Sequence, residues 1–204
     1  MYFLAPGEYL GDQKASYNQH LSFSLRIGED QPRITFEDVI LEGAGMTITQ
    51  PIFGQGNPIP NTRSQTYRFK LHEEPNKYGW APRLRVKDFI SVLANLTAIK
   101  IRATYTTPGT GYLDDVRLET AKQVSLGSAA TGVEMCTCPE GYIGQFCESC
   151  APGFRHNPPG GGSFSECVHC NCNGHTNQCD DESGMKSCER IRRRVVEEEK
   201  MVSS

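Results

Sequence analysis

The chain has 204 residues, room for one ordinary domain and a small companion. Its net charge is −3 with 22% charged residues, so no overall basic field draws it to nucleic acid or anionic lipid. Hydrophobic residues make up 37%, and 20 Gly and 12 Pro favour short strands and turns over long helices. No run approaches the ~18 apolar residues of a membrane span. The opening Met1-Tyr-Phe-Leu-Ala5 is a short apolar run without a basic leader, which argues against a signal peptide.

In chain order, period-two alternation marks the strands. Leu21, Phe23, Leu25 and Ile27 occupy every second position, and Met46, Ile48 and Ile52 follow the same rule with Gln50 interrupting. Tyr67, Phe69 and Leu71 repeat it, as do Ile99, Ile101, Ala103 and Tyr105. Turn residues separate them at Gly28–Pro32, Gly43–Gly45, Gly54–Pro58 and Pro108–Gly111. Phe89, Val92, Leu93 and Leu96 recur instead at helical spacing after Asp88, which predicts one short helix capped by Asp88. Many strands and a single helix predict a mostly β fold, an antiparallel β-sandwich of jelly-roll type.

All nine cysteines fall between Cys136 and Cys188, and residues 1–135 have none. Such a step marks a boundary, because a short polar segment cannot bury enough surface to hold itself. Residues 1–122 are expected to form the β domain, and the small, polar stretch 123–135 a linker. Two chemistries compete beyond it. Zinc would take four ligands from Cys-x-Cys and Cys-x2-Cys pairs with His169 and His175. Disulfides would close loops along a Gly-, Pro- and Asn-rich chain. From Cys138 onward the intervening loops have eight, two, sixteen, two, one, six and eight residues, an irregularity that suits a disulfide-rich, secreted module better than a zinc knuckle.

Cys136-Thr-Cys138-Pro-Glu-Gly-Tyr-Ile-Gly-Gln-Phe-Cys147-Glu-Ser-Cys150-Ala-Pro-Gly-Phe154, followed by Cys167, Cys170-Asn-Cys172 and Cys179, resembles the laminin-type EGF-like module. The preceding segment is similar to the laminin IV (laminin B) domain in Tyr2-Phe-Leu-Ala-Pro6, Tyr9-Leu-Gly-Asp-Gln13, Ser16-Tyr17, Asn95-Leu-Thr97 and Gly111-Tyr-Leu-Asp-Asp-Val116. Leu41-Glu-Gly-Ala-Gly45 and Ile101-Arg-Ala-Thr-Tyr105 look most like a gamma-type chain. The resemblance covers about 2–188.

The resemblance implies 136–169 as the C-terminal part of one EGF-like module and 170–188 as the start of a second, both incomplete, with the β domain truncated at its N-terminus. It pairs Cys138 with Cys147, Cys150 with Cys167, Cys170 with Cys179 and Cys172 with Cys188. Cys136 is then unpaired, its partner lying upstream of Met1. The tail 189–204, a basic block followed by an acidic one, has no counterpart in the family and reads as a solvated helix or disorder. The implied role is a structural and adhesive module in a laminin short arm, secreted into basement membrane. It acts beside other laminin or extracellular-matrix chains and cell-surface receptors, with no cofactor. The family's nidogen-binding loop, Asn/Asp-x-Asn-Ala-Val, is replaced here by Asn-Gly-His-Thr-Asn-Gln between Cys172 and Cys179, so nidogen binding is not implied.

Individual candidates each have an ordinary alternative. Asn95-Leu-Thr97 is an N-glycosylation sequon, expected to be occupied in a secreted chain. Asp114 and Asp115 sit where sandwiches of the carbohydrate-binding kind hold calcium. Adjacent strand residues face opposite ways, so at most one serves a site, and edge solvation is the ordinary role. Tyr78 and Trp80 can stack on a sugar, the lectin-like alternative for the whole domain, whereas a buried loop anchor is commoner. His72-Glu73-Glu74 lacks a second helical histidine and reads as surface. His20, His156, His169 and His175 share no ligand spacing with acids. No nucleophile elbow, phosphate loop or Arg-Gly-Asp tripeptide occurs, and an enzyme is not expected.

Overall fold

The computed structural model describes residues 1–121, 132–133 and 136–170. The chain divides into two compact units, Met1–Val133 and Glu134–Ser204, with the boundary inside the stretch read as a linker.

The first unit is built from β1 (Tyr2–Leu4), β2 (His20–Ile27), β3 (Val39–Gly43), β4 (Met46–Gln50), β5 (Gln65–Lys70), α1 (Val86–Ala94), β6 (Leu96–Arg102) and β7 (Gly111–Leu118). They form two antiparallel sheets, β1-β6-β3-β4 and β5-β2-β7. The alternation at Leu21, Phe23, Leu25 and Ile27 is the buried face of β2, each residue at most 1% exposed. Its neighbours Tyr67 and Phe69 on β5 stack on Phe23 at 5.5 and 5.9 Å. β3 breaks the period-two rule: Val39, Ile40 and Leu41 are all buried, because β4 and β6 flank it and α1 covers it.

Gln50 does not interrupt the β4 pattern but continues it. It is 1% exposed, and its amide nitrogen donates to the Tyr78 carbonyl, which satisfies a polar group in an apolar layer.

The helix differs from the sequence expectation at both ends. Its N-cap is Arg85, without a side-chain cap. Asp88 lies in the first turn, where its carboxylate meets the positive helix end and accepts from Arg85 Nε at 2.9 Å. Leu96 is the first residue of β6, not the last of the helix, because Asn95 leaves helical geometry at φ −138°. The last carbonyls find partners outside the helix: Leu93 O accepts from Gln13 N at 2.8 Å and Asn95 O from Ala44 N at 3.2 Å. α1 passes so close to β3 that a Cβ on Gly43 would lie 2.1 Å from Val92 O. Only glycine fits there.

One carboxylate ties the sheet together where β3, β4 and β6 end. Asp38 is fully buried. It accepts from Thr35 Oγ1 at 2.9 Å, Thr35 N at 3.3 Å, Ile52 N at 3.0 Å and Arg102 Nη1 at 3.0 Å. Its backbone extends the ladder on both sides, Asp38 N donating to Gln50 O and its carbonyl accepting from Arg102 N. Deleting this acceptor leaves the buried Ile52 amide unpaired and takes the counter-charge from the Arg102 guanidinium. Asp38→Ala therefore lowers unfolding stability by about 3–5 kcal/mol, followed in urea through Trp80, the single tryptophan. Phe36→Ala, removing a side chain that is 78% exposed, stays within about 0.5 kcal/mol.

Candidate functional site

In the second unit the chain makes two small ladders, β8 (Tyr142–Ile143) with β9 (Ser149–Cys150) and β10 (Phe154–Asn157) with β11 (Glu166–His169). Such short pairings cannot persist on hydrogen bonds alone, and covalent bonds hold them. Cys138 is bonded to Cys147, Cα atoms 5.3 Å apart, and Cys150 to Cys167 at 5.5 Å. Cys136 is a free, exposed thiol. Cys170 is disulfide-bonded as well. Cys172, Cys179 and Cys188, His175 and the tail 189–204 lie outside the described residues.

These bonds bear on the zinc alternative. Four of the sulfurs it needs are joined in pairs and are not thiolates. His156 does approach a sulfur: its Nδ1 lies 3.4 Å from Cys150 Sγ and 2.7 Å from Ser165 Oγ. His169 instead packs its ring on Phe154 at 4.1 Å. Glu148 escapes sequence reading. Buried to 5% exposure, it accepts from Phe146 N at 2.9 Å beneath the Cys138–Cys147 loop.

In the first unit the structure sorts the remaining candidates. Asn95 and Thr97 are exposed at the junction of α1 and β6, and Thr97 Oγ1 donates to Glu42 O at 3.0 Å. Asp114 and Asp115 are both exposed on β7, not on opposite faces. Asp115 takes φ 53° at a register shift against β2, and the bulge re-aims its side chain toward Arg117 at 2.7 Å. Among the described residues they do not converge with a third carboxylate as calcium would require.

Trp80 is 3% exposed and its Nε1 donates to Lys70 O at 2.9 Å, with the ring between Phe69 and Phe89 at 6.3 Å from each. It is a core anchor and cannot stack on a sugar. Tyr78 remains half-buried at the surface. The surface reading of His72-Glu73-Glu74 holds for Glu74 alone. Glu73 Oε2 accepts from Tyr17 Oη at 2.6 Å, and His72 lies between the rings of Tyr17 and Tyr78 at 5.3 and 5.2 Å. The Tyr17 hydroxyl and the rings of Tyr17 and Tyr78 hold these two inward, which the tripeptide alone does not reveal.

The structure also assembles a cluster that sequence spacing hides, since its members come from three adjacent strands. His20 faces Lys70 across the β2–β5 pair, Arg68 lies one step along, and Glu119 follows β7. Arg68 Nη2 donates to Glu119 Oε1 at 3.0 Å, and His20 Nδ1 lies 3.0 Å from Glu119 Oε2 and 3.1 Å from Arg68 Nη2. Burial, then the Arg68 and Lys70 charges, outweigh the Glu119 hydrogen bond and hold His20 below its ordinary pKa. Burial tends to raise the Glu119 carboxyl, but the His20 hydrogen bond and Arg68 overcome it and leave its pKa lowered.

Both shifts act in the same direction. The unfolded chain binds each proton first, so stability falls with acid, through His20 below its ordinary 6.5 and through Glu119 below its ordinary 4.5. His20→Gln removes the upper window. The urea midpoint of the wild type rises as pH increases toward about 6.5, and that of His20→Gln is flatter over the range just below it.

Comparison with known proteins adds to this geometry. Residues 2–134 match the family model described as Laminin B (Domain IV). The chain is 48% identical over 184 residues to laminin subunit gamma-1 of Xenopus tropicalis, an alignment covering 90% of this chain and 11% of the relative. It is 44% identical over 184 residues to laminin subunit gamma-2 of Homo sapiens, covering 90% of this chain and 15% of that one. The chain thus spans about a ninth to a seventh of the length of these relatives. Among solved structures, the L4b domain of human laminin alpha-2 overlays with a TM-score of 0.49 at 18% identity, over 60% of this chain and 70% of that one.

Proposed function

Since the chain belongs to the Laminin B (Domain IV) family, we propose that it serves as a structural and adhesive module of a gamma-type laminin short arm in basement membrane. The observation that carries this reading is the joining of a sandwich to a covalently stapled segment. The likeness to gamma chains runs through both, over 90% of the chain. Each part resists deformation by its own means, the sandwich by a close-packed core and the following segment by its Cys138–Cys147 and Cys150–Cys167 bonds. Closing a loop of that size restricts the unfolded chain by about 2–3 kcal/mol in the chain-entropy account. A module of this kind holds a fixed shape and presents a surface, with no chemistry to perform. Its partners in that setting are other laminin or matrix chains and cell-surface receptors, and its domains follow the laminin IV and EGF-like plan, with Cys170 to Cys179 and Cys172 to Cys188 as the remaining bridges.

The exposed Asn95-Leu-Thr97 sequon fits a secreted chain. Passed through a secretory pathway, the protein carries one N-glycan, and enzymatic deglycosylation lowers the mass of the wild type but not of Asn95→Gln.

The matrix role has a direct assay. The tagged chain, exported by a supplied signal and added to cells that deposit basement membrane, co-distributes with laminin and resists a non-reducing wash. A wholly soluble, diffuse product that washes out would falsify the reading.

A further inference from the structure

Of the disulfides in the second unit, Cys138–Cys147 and Cys150–Cys167 sit in unlike electrostatic surroundings. Cys138 Sγ lies 3.5 Å from Gly144 O and 3.8 Å from Cys136 O. Cys167 Sγ lies 3.9 Å from Ser165 O. A carbonyl oxygen carries partial negative charge, so it opposes a thiolate forming beside it. Cys150 Sγ has the opposite kind of neighbour, His156 Nδ1 at 3.4 Å. The three side chains of Cys150, His156 and Cys167 bring their sulfur and nitrogen atoms within 4.8 Å of one another.

Ser165 sets the proton on that nitrogen. Its hydroxyl donates to Gly162 O at 2.8 Å, and its oxygen lies 2.7 Å from His156 Nδ1. With the hydroxyl proton committed to the carbonyl, Nδ1 carries the hydrogen that joins it to Ser165 Oγ. The same N–H is within reach of Cys150 Sγ. The ladder holds the imidazole in place, since His156 on β10 stands directly opposite Cys167 on β11. Cys150, His156, Ser165 and Cys167 are all half-buried, so water and a small thiol reach the bond.

We propose that Cys150–Cys167 is a thiol-exchange site with a fixed direction: an external thiolate attacks Cys167 Sγ, and Cys150 leaves. A new S–S bond forms between the attacking sulfur and Cys167 as the Cys150–Cys167 bond breaks. The electron pair departs on Cys150 Sγ, where the His156 N–H meets it in a charge-assisted hydrogen bond, and the thiolate then takes a proton from water. A monothiol stops there, as a mixed disulfide on Cys167. With a dithiol, the second sulfur attacks the first, releases Cys167 as a thiolate and closes as a disulfide, so two electrons pass from the dithiol to the protein bond. Attack at Cys150 instead would put the departing charge on Cys167, beside Ser165 O. The bond joins β9 to β11, and opening it releases ladders too short to persist alone. The inference rests on this cluster alone and is independent of the matrix reading above.

The test uses the full chain without denaturant, its free Cys136 thiol first blocked with N-ethylmaleimide. Glutathione or dithiothreitol is added, newly freed thiols are trapped at intervals with an isotope-labelled alkylating agent, and each cysteine is followed by peptide mass. Cys150 and Cys167 open at least about ten-fold faster than Cys138 and Cys147. The glutathione adduct sits on Cys167, with Cys150 alkylated. His156→Leu, which keeps bulk but removes the N–H, slows this opening about ten-fold and leaves that of Cys138–Cys147 unchanged. His156→Asn, whose amide supplies an N–H near the Nδ1 position, retains most of the rate. The Cys138–Cys147 rate is the internal control, because a variant that only loosens the unit opens both bonds faster. Four results would each overturn the proposal: equal opening of the two bonds in the wild type, an adduct on Cys150, a His156→Leu rate at or above that of the wild type, or His156→Asn as slow as His156→Leu.

Discussion

The buried carboxylate of Asp38 is the constraint on which the four-stranded sheet depends. Removing a charge from water is expensive, and it is tolerated here because Arg102 and three further donors surround it. Arg102 is itself held elsewhere: Nη1 also donates to Arg33 O at 2.8 Å, and the guanidinium lies 4.9 Å from the centre of the Tyr105 ring. The network joins the loop before β3, the segment after β4 and the end of β6. A slip of one residue in either pairing would pull the carboxylate off its donors. The ion pair thus fixes register, which hydrophobic contacts along β3 specify poorly because Val39, Ile40 and Leu41 are all apolar.

The same economy of polar groups governs the sheet edges. An open strand edge invites further pairing, and β5 and β4 are both covered. Gln55 and Asn57 imitate a neighbouring strand along β5 with four side-chain hydrogen bonds to backbone. Ala81 exchanges two backbone bonds with Thr49 on β4. The segment that supplies the β5 clamp, around Gly54–Gly56, bends through Gln55 at φ 59°. Backbone strain at that one residue is offset by the bonds its side chain makes. The clamp uses the whole hydrogen-bonding capacity of one face of each amide, so the edge is closed without a further strand.

Much of the fold is legible in the sequence, and the misses have physical causes. Period two at Leu21–Ile27 and Tyr67–Leu71 reports strands with one buried face, and both are so. β3 lacks that signal, since a strand covered on both faces has no alternation to show. Gln50 reads as an interruption because a buried amide looks polar until its acceptor, the Tyr78 carbonyl, is known. The helix boundary is misplaced by the apolar Leu96, which serves β6 although it falls at helical spacing from Phe89 and Leu93. Cysteine spacing reveals a separately stabilised segment, but the cluster of His20, Arg68 and Glu119 depends on pairing between strands 48 and 51 residues apart in the chain. No window of sequence contains it.

Trp80 and Tyr78 show how far residue type alone carries a functional reading. Two aromatic residues flanking a glycine look like a sugar platform, and the pair divides between two jobs. Trp80 has a hydrogen-bond acceptor waiting inside, Lys70 O, and aromatic neighbours on two sides, so burial satisfies its N–H as well as its ring. Tyr78 has its backbone carbonyl tied to Gln50 and its ring left at the rim. The buried member holds the Lys70 backbone at the end of β5. The surface around Tyr78 is therefore tied to the core behind it through a single carbonyl, Lys70 O, that accepts from both Trp80 and Gln55.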